Sequence, residues 1–174
     1  MRTARLTLEP IVPEHASLLF DQLDDDRLWR FMIFRLRPRS VEKLRDRFTR
    51  YAARASPDGS EVWLNYALRR DDGAFVGTVQ ASVEGARATI GYTIFVDHWR
   101  QGYGKEACVE LLRFVEEEFG VNDVTANVDV RNMASIALLQ SLGFTRAWTG
   151  PSEDMPGHID HRYERHRPGT ANVL

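Results

Sequence analysis

Cysteine occurs once, at Cys108, which excludes a disulfide framework and a thiolate cluster for zinc and fits a reducing, cytoplasmic setting. No apolar run approaches the ~18 residues that a membrane span needs, and the opening MRTARLTLEPIV is too short and too charged for a signal peptide. A membrane role is therefore not expected. Charge of neither sign dominates: 23 Lys+Arg stand against 25 Asp+Glu, with a pI near 6.2. No global field would draw the protein onto nucleic acid. Repeats, low-complexity tracts and linkers are also missing, so the 174 residues read as a single domain with a frayed tail over 168–174.

What is present is a succession of short periodic segments. Residues 3–10 alternate around Leu6 and Leu8 as a half-buried strand, and Pro13 is placed to be a first helical residue before Ala16, Leu19, Phe20 and Leu23. Asp24-Asp25-Asp26 breaks that face. Leu28, Trp29, Phe31, Met32 and Phe34 follow, laced with Arg27, Arg30, Arg35, Arg37 and Arg39, as either a cover for the core or an aromatic rim facing substrate. Ser40 caps a helix from Val41 to about Arg54. Val62–Arg69, Phe75–Val83 and Arg87–Val96, separated by Asp71-Asp72-Gly73 and Glu84-Gly85, read as an antiparallel meander. After a helix ending near Gly120, Val124–Val130 alternates as a strand, expected parallel to Arg87–Val96 through a right-handed crossover. A helix from about Met133 to Leu142, strands at Phe144–Trp148 and His158–Arg165, and a turn-rich loop over 149–157 complete an α/β (α+β) chain with a mixed sheet.

The stretch Ile90–Phe119 organises the rest: a strand, a turn holding Gly102 and Gly104, then a helix. Unpaired amides and the positive end of the helix dipole meet in such a turn, making it a phosphate cradle. A P-loop would need G-x-x-x-x-G-K-S/T, but Gly104-Lys105 is followed by Glu106 and Trp99 stands at the first glycine's place. Gly102-Tyr103-Gly104-Lys105-Glu106-Ala107 does match the dinucleotide pattern G-x-G-x-x-G/A. An antiparallel lead-in and an acid, Asp123, that precedes the next strand argue against that reading.

WRQGYGKEA followed by VRNMASIALLQSLGF resembles the GNAT superfamily of N-acetyltransferases, whose acetyl-CoA signature is Q/R-x-x-G-x-G/A. Gly102 and Gly104 match its small positions, and Trp99 stands where the branch acetylating ribosomal-protein N-termini often has tryptophan. The similarity runs from Arg5-Leu6 to Tyr163. It implies the GNAT fold, an antiparallel meander followed by a β-α-β crossover with splayed parallel strands. It also implies acetyl-CoA as co-substrate without a metal, and transfer to a primary amine of a peptide N-terminus or small molecule, by a monomer or homodimer.

The resemblance assigns roles residue by residue. Backbone N–H groups of Gln101, Gly102, Tyr103, Gly104 and Lys105 would hold the pyrophosphate, with the missing Cβ atoms at 102 and 104 allowing close approach and Arg100 and Lys105 adding charge. Backbone groups of Ile94, Phe95 and Val96 would bond the pantetheine arm, and one amide would polarise the thioester carbonyl. Asn132 would contact the pantetheine or simply cap its helix, and Ser135 would stand near the CoA sulfur. Leu139 occupies the place of the family's tyrosine acid, and Asn127 that of a glutamate found in many relatives.

The attacking amine must lose a proton, since an ammonium has no lone pair. Candidates are Asp129, Glu84 and Asp97-His98, with a water relay as an equal alternative. His158 and His161 sit on opposite faces of one strand by alternation, so a metal site is not expected. A non-catalytic acyl-CoA sensor is the alternative to the enzyme. Tyr92, Trp99 and Tyr103 are aromatic neighbours explained equally by packing.

Overall fold

The computed structural model describes residues 1–32 and 36–167. Phe34 and Arg35 of the aromatic and basic cluster, and the tail over 168–174, lie outside the described residues.

The elements run β1 (Leu6–Pro10), α1 (His15–Leu23), α2 (Val41–Ala52), β2 (Val62–Arg70), β3 (Phe75–Glu84), β4 (Arg87–Ile94), α3 (Tyr103–Glu118), β5 (Asp123–Asp129), α4 (Met133–Ser141), β6 (Thr145–Pro151) and β7 (Ile159–His166). Among the described residues the strands form one sheet in the order β1-β2-β3-β4-β5-β7-β6. Every pairing is antiparallel except β4 with β5, as the strand–helix–strand succession requires.

The two faces of the sheet carry separate cores. One packs Leu64, Val79, Val83 and Ile90 against Ala107, Cys108, Leu111, Leu112 and Val115 of α3 and Ile136 and Leu139 of α4. Burial of α3 at positions i, i+1, i+4, i+5 and i+8 is the broad stripe of a helix lying flat on a sheet. Cys108 belongs to this stripe, and burial pushes its thiol up to about 12, so it is not a nucleophile at neutral pH. The other core joins Leu19 and Leu23 of α1, Leu44 and Phe48 of α2, Trp29, Ala67 and Phe95. Each such buried side chain contributes about 2 kcal/mol. Ser40 caps α2, its hydroxyl accepting from the Lys43 N–H at 3.2 Å.

Element ends depart from the periodicity in three places. The helix after Pro13 begins at His15, with Pro13 in the preceding turn and its carbonyl accepting from the Ala16 N–H at 3.1 Å. β4 stops at Ile94, because Val96–His98 folds into a 3-10 turn. β6 runs on to Pro151, shortening the closing loop, since Thr149, Gly150 and Pro151 find partners at His161, Asp160 and Ile159.

Candidate functional site

The turn after β4 is built as a cradle. Arg100 has φ 61° and Gly102 φ 83°, so the chain reverses through two left-handed residues before α3 begins. Trp99 anchors the turn by donating its indole N–H to the Ile94 carbonyl at 2.7 Å. Arg100, Gln101 and Lys105 are exposed, and neither cation has an ion-pair partner among the described residues, so both charges are open to solvent. Tyr103 is buried beneath the turn, with the Arg5 guanidinium 4.6 Å above its ring.

The two glycines do different work. A Cβ on Gly102 would meet only the end of Arg5 at 3.4 Å, whereas one on Gly104 would lie 2.9 Å from Leu138 Cδ1 and 3.3 Å from Ile94 Cγ1. A side chain at Gly104 would therefore press on Leu138 and Ile94 where α3 packs on β4 and α4, and the open approach to the turn belongs to Gly102.

Pairing between β4 and β5 covers only Arg87–Thr89 against Asp123–Thr125. Beyond that the strands part, and Ile90–Thr93 and Ala126–Asp129 border a cleft of about 360 Å³ that also touches Asn132 and Ser135. Alternation determines which backbone groups face the gap. Phe95 donates its N–H to Val76 at 2.9 Å, and its carbonyl accepts from His98 at 2.9 Å, so both its groups are committed within the protein. Tyr92 and Ile94 lie one position out of phase and turn their N–H groups away from β3, toward the gap. Of the three residues expected to offer backbone bonds, Ile94 and Val96 retain a free N–H and Phe95 does not.

Asn132 caps α4, its side-chain oxygen accepting from the Ser135 N–H at 3.2 Å. The cap occupies the oxygen and leaves the amide NH₂ at the cleft. Ser135 Oγ lies 2.6 Å from the hydroxyl of Tyr92, whose proton burial holds well above the usual phenol range. Tyr92 thus stays a neutral hydroxyl paired with Ser135 at any working pH, a pairing that packing considerations missed. Leu139 is buried and contributes only an apolar side chain to the inner lining of the cleft.

Asp129 is buried at the cleft wall, and Arg131 donates to it from the backbone N–H at 2.9 Å, Nε at 2.8 Å and Nη2 at 2.7 Å. His158 Nδ1 lies 3.0 Å from the same carboxylate. The Arg131 side chain above all, with its backbone N–H and His158, outweighs burial and holds the Asp129 carboxyl far below the carboxylate range. A carboxylate so stabilised is a poor proton acceptor, which is the physical case against Asp129 as the direct base. Directly across the ladder stands Asp160 of β7, paired in register with Asp129. Its Oδ1 is buried with no hydrogen-bond partner among the described residues, and the residue borders the same cleft. Sequence inspection passed over Asp160, since its closeness to Asp129 depends on the β5–β7 register.

The remaining candidates lie elsewhere. Glu84 lines a separate, polar hollow of about 530 Å³ over the start of β4, Asp97 is exposed in the 3-10 turn, and His98 packs edge-on against Tyr103. His158, His161 and His166 each bond a different partner, Asp129, Thr149 and Asp123. Among the described residues no group of three or more His, Cys, Asp or Glu is arranged to hold a metal. No described helix is long and apolar enough to cross a membrane.

α1, α2 and the segment between them wall the cleft with Trp29, Met32, Phe48 and Tyr51. Trp29 is fixed by donating its indole N–H to the Leu23 carbonyl at 2.7 Å. The acidic triplet restrains neighbouring arginines: Asp25 chelates Arg27, and Asp24 and Asp26 bind Arg37.

Residues 5–145 match the model of the acetyltransferase (GNAT) domain. The chain belongs to the GNAT acetyltransferase family. The GNAT chain is 27% identical over 159 residues to the FsC-acetyl coenzyme A-N(2)-transacetylase of Aspergillus fumigatus, covering 86% of this chain but only 66% of that protein. It is 27% identical to the N-acetyltransferase YoaA of Bacillus subtilis, over 84% of this chain and 82% of that one. Among solved structures, a RimL ribosomal L7/L12 alpha-N-protein acetyltransferase in complex with coenzyme A superposes with a TM-score of 0.82 at 17% identity, over 94% and 95% of the chains. The microcin C7 self-immunity acetyltransferase MccE, in complex with acetyl-CoA and AMP, gives 0.82 at 13% identity, over 94% and 93%. These likenesses establish the seven-stranded mixed sheet as the GNAT fold and the chain as an acetyltransferase of the EC 2.3.1 type.

Proposed function

We propose that this GNAT protein moves an acetyl group from acetyl-CoA to a primary amine by direct attack, with no covalent enzyme intermediate. The observation that carries the reading is the opening of the parallel pair after Thr89 and Thr125, with Asp160 on one wall and the Ser135–Tyr92 pair on the other. A gap bordered by free strand amides accepts an extended amide-bearing arm as a surrogate strand, and the cradle at Gly102 suits a pyrophosphate. Acetyl-CoA, which fits both features, supplies an already activated thioester.

The chain's own groups then divide the work. The N–H of Ile94 or Val96 polarises the thioester carbonyl, since a fixed donor in a cleft stabilises oxygen charge as it develops. Asp160 takes the proton of the incoming amine, its unpartnered oxygen being the acceptor at the cleft wall. Asp129 keeps His158 and Arg131 in place beside it. Ser135, backed by the neutral Tyr92 hydroxyl, donates a hydrogen bond to the departing sulfur, which leaves as the CoA thiolate and takes its proton from solvent. The Asn132 amide and the turn over residues 101–105 hold the rest of the cofactor. The relatives support the same reading: the Aspergillus fumigatus protein is an FsC-acetyl coenzyme A-N(2)-transacetylase, and YoaA is named for acetyl transfer to nitrogen. We read the protein as cytoplasmic, where acetyl-CoA and a lone buried thiol are both at home.

Calorimetry with acetyl-CoA and thiol release with a panel of amines test this. Gly102→Glu places a carboxylate at φ 83° where the pyrophosphate would lie. Binding should vanish while far-UV circular dichroism stays unchanged. Undiminished acetyl-CoA affinity in this variant would remove the turn from the site.

A further inference from the structure

Arg47 stands apart from the other arginines. It lies on α2, half-buried at the acceptor side of the cleft, and makes no hydrogen bond, ion pair or ring contact with the described protein. Every other described arginine that is shielded from solvent is paired: Arg37 with Asp24 and Asp26, Arg70 with Asp72, Arg162 with Glu153 and Arg165 with Glu116. Partly desolvating a guanidinium without a partner is unfavourable, and the missing partner is supplied by a ligand.

Two further polar groups line the same cleft. Asn65 of β2 and Gln80 of β3 face each other in register on the same side of the sheet and line the cleft, and their side-chain amides bond to no group among the described residues. Gln80 reaches toward the gap, because its register partner on β4 is Gly91, over which its side chain lies: a Cβ at Gly91 would stand 3.2 Å from Gln80 Nε2. A donor-rich corner thus sits at one end, Asp160 at the other, and apolar walls of Trp29, Met32 and Phe48 between them.

Spacing follows from the sheet. Neighbouring strands lie about 4.8 Å apart, so β3 is at least about 10 Å from β5 and about 14 Å from β7, which carries Asp160; a hydrogen bond of about 2.9 Å at either end leaves a ligand span of about 10 Å. That span is far beyond the reach of an α-amino acid's own amine and carboxylate. One arginine with two neutral amides, in a cleft that also carries Asp129 and Asp160, suits a single negative charge better than a phosphate dianion.

Resting on the acetyl-transfer reading above, we propose that Arg47, Asn65 and Gln80 form a carboxylate subsite, selecting acceptors with an amine, an apolar spacer and a carboxylate about 10 Å from the nitrogen. Two sources present this chemistry: an ω-amino acid, and a peptide N-terminus with an acidic side chain three residues along, at about 3.4 Å per residue.

The test uses two matched pairs, ω-aminooctanoate with its amide, and the peptide amides Ala-Phe-Ala-Glu and Ala-Phe-Ala-Gln. For each, KM and kcat come from thiol release and Kd from calorimetry on the CoA-loaded protein. The wild type should favour the acidic member of at least one pair by about 10- to 100-fold in KM or Kd, the range of a charge-assisted bond, and the responding pair identifies the source. Arg47→Gln should abolish the preference without changing kcat for the neutral members, and Arg47→Lys should restore part of it. Equal KM and Kd within both pairs, or a preference surviving Arg47→Gln, overturns the subsite. Loss of acetyl-CoA binding to the wild type would instead overturn the acetyl-transfer reading, so the two failures are distinguishable.

Discussion

Replacing Gly77 by alanine should cripple both stability and turnover. Gly77 sits on β3 opposite Ile94, and an added Cβ would stand 2.2 Å from the Thr93 carbonyl oxygen and 3.0 Å from the Ile94 Cα. Ordinary contacts of this kind require more than about 3.2 Å, so β4 must retreat by about 1 Å. The obstructing atom is a main-chain carbonyl in a ladder and cannot rotate away. The cost belongs at the upper end of the overpacking range, about 3 kcal/mol, which lowers Tm by roughly 6–12 °C for a chain of this size. The retreat also displaces Ile94 and Val96, whose N–H groups are proposed to align the thioester, and a 1 Å misplacement costs on the order of 100-fold in rate. Gly91→Ala on the facing strand is the control. Its Cβ meets only the Gln80 side chain, at 3.2 Å, which can swing aside. A change under about 1 kcal/mol is expected, since alanine also stiffens the unfolded chain. Urea unfolding of both variants and kcat/KM on their folded fractions give the comparison. A Gly77→Ala protein within about 1 kcal/mol of wild type, or no less stable than Gly91→Ala, would refute the steric reasoning.

Three further outcomes follow. Ser135→Ala should lower kcat by about 100-fold with acetyl-CoA affinity intact, and Tyr92→Phe should lower it less, as measured by steady-state thiol release. Asp160→Asn should reduce kcat/KM most at neutral pH and recover as pH rises toward the amine's own pKa of ~8 to 10, because a deprotonated amine needs no base. The folded Asp129 carboxyl titrates below its unfolded value near ~3.9, so its stabilisation is complete above that pH and is lost as pH falls. Asp129→Asn should cost about 1–3 kcal/mol at pH 7, tempered by the exposure of Arg131, and should flatten the acid limb of Tm against pH.

Local signals were legible where one segment decides them alone. The glycine turn, the α3 stripe, the Ser40 cap and the alternation of β2 to β5 follow from residue types within a few positions of each other. The parallel pair followed from connectivity. What eluded the sequence depends on register between distant segments. Asp160 gains its meaning from pairing with Asp129, and Tyr92 from bonding Ser135, 43 residues away. Arg47 reads as an exposed position of an amphipathic helix until α2 is laid over Asn65 and Gln80. Phe95 was expected to offer its backbone to the pantetheine, yet the 3-10 turn after it takes the carbonyl and β3 takes the N–H. Periodicity tells which face is buried and is silent on which hydrogen bonds are spent.

The start of the chain belongs to the same site. Glu106, in the first turn of α3, receives the Thr3 hydroxyl at 2.6 Å, the Arg5 N–H at 2.8 Å and Arg5 Nε at 2.7 Å. Burial works against its charge, yet the bonds from Thr3 and Arg5 and the charge of Arg5 prevail and hold the Glu106 carboxyl below its ordinary value. Arg5 also donates to the Gln101 carbonyl at 3.0 Å and covers Tyr103. A carboxylate beside a phosphate cradle would repel its ligand if left bare. Here Arg5 neutralises Glu106, ties it to β1 and pins the turn at Gln101, so the acid serves as a fastener that leaves the N–H groups of the turn directed outward. Thr3 and Arg5 are thus supports of the turn proposed to hold the pyrophosphate, a hundred residues ahead of it in the chain.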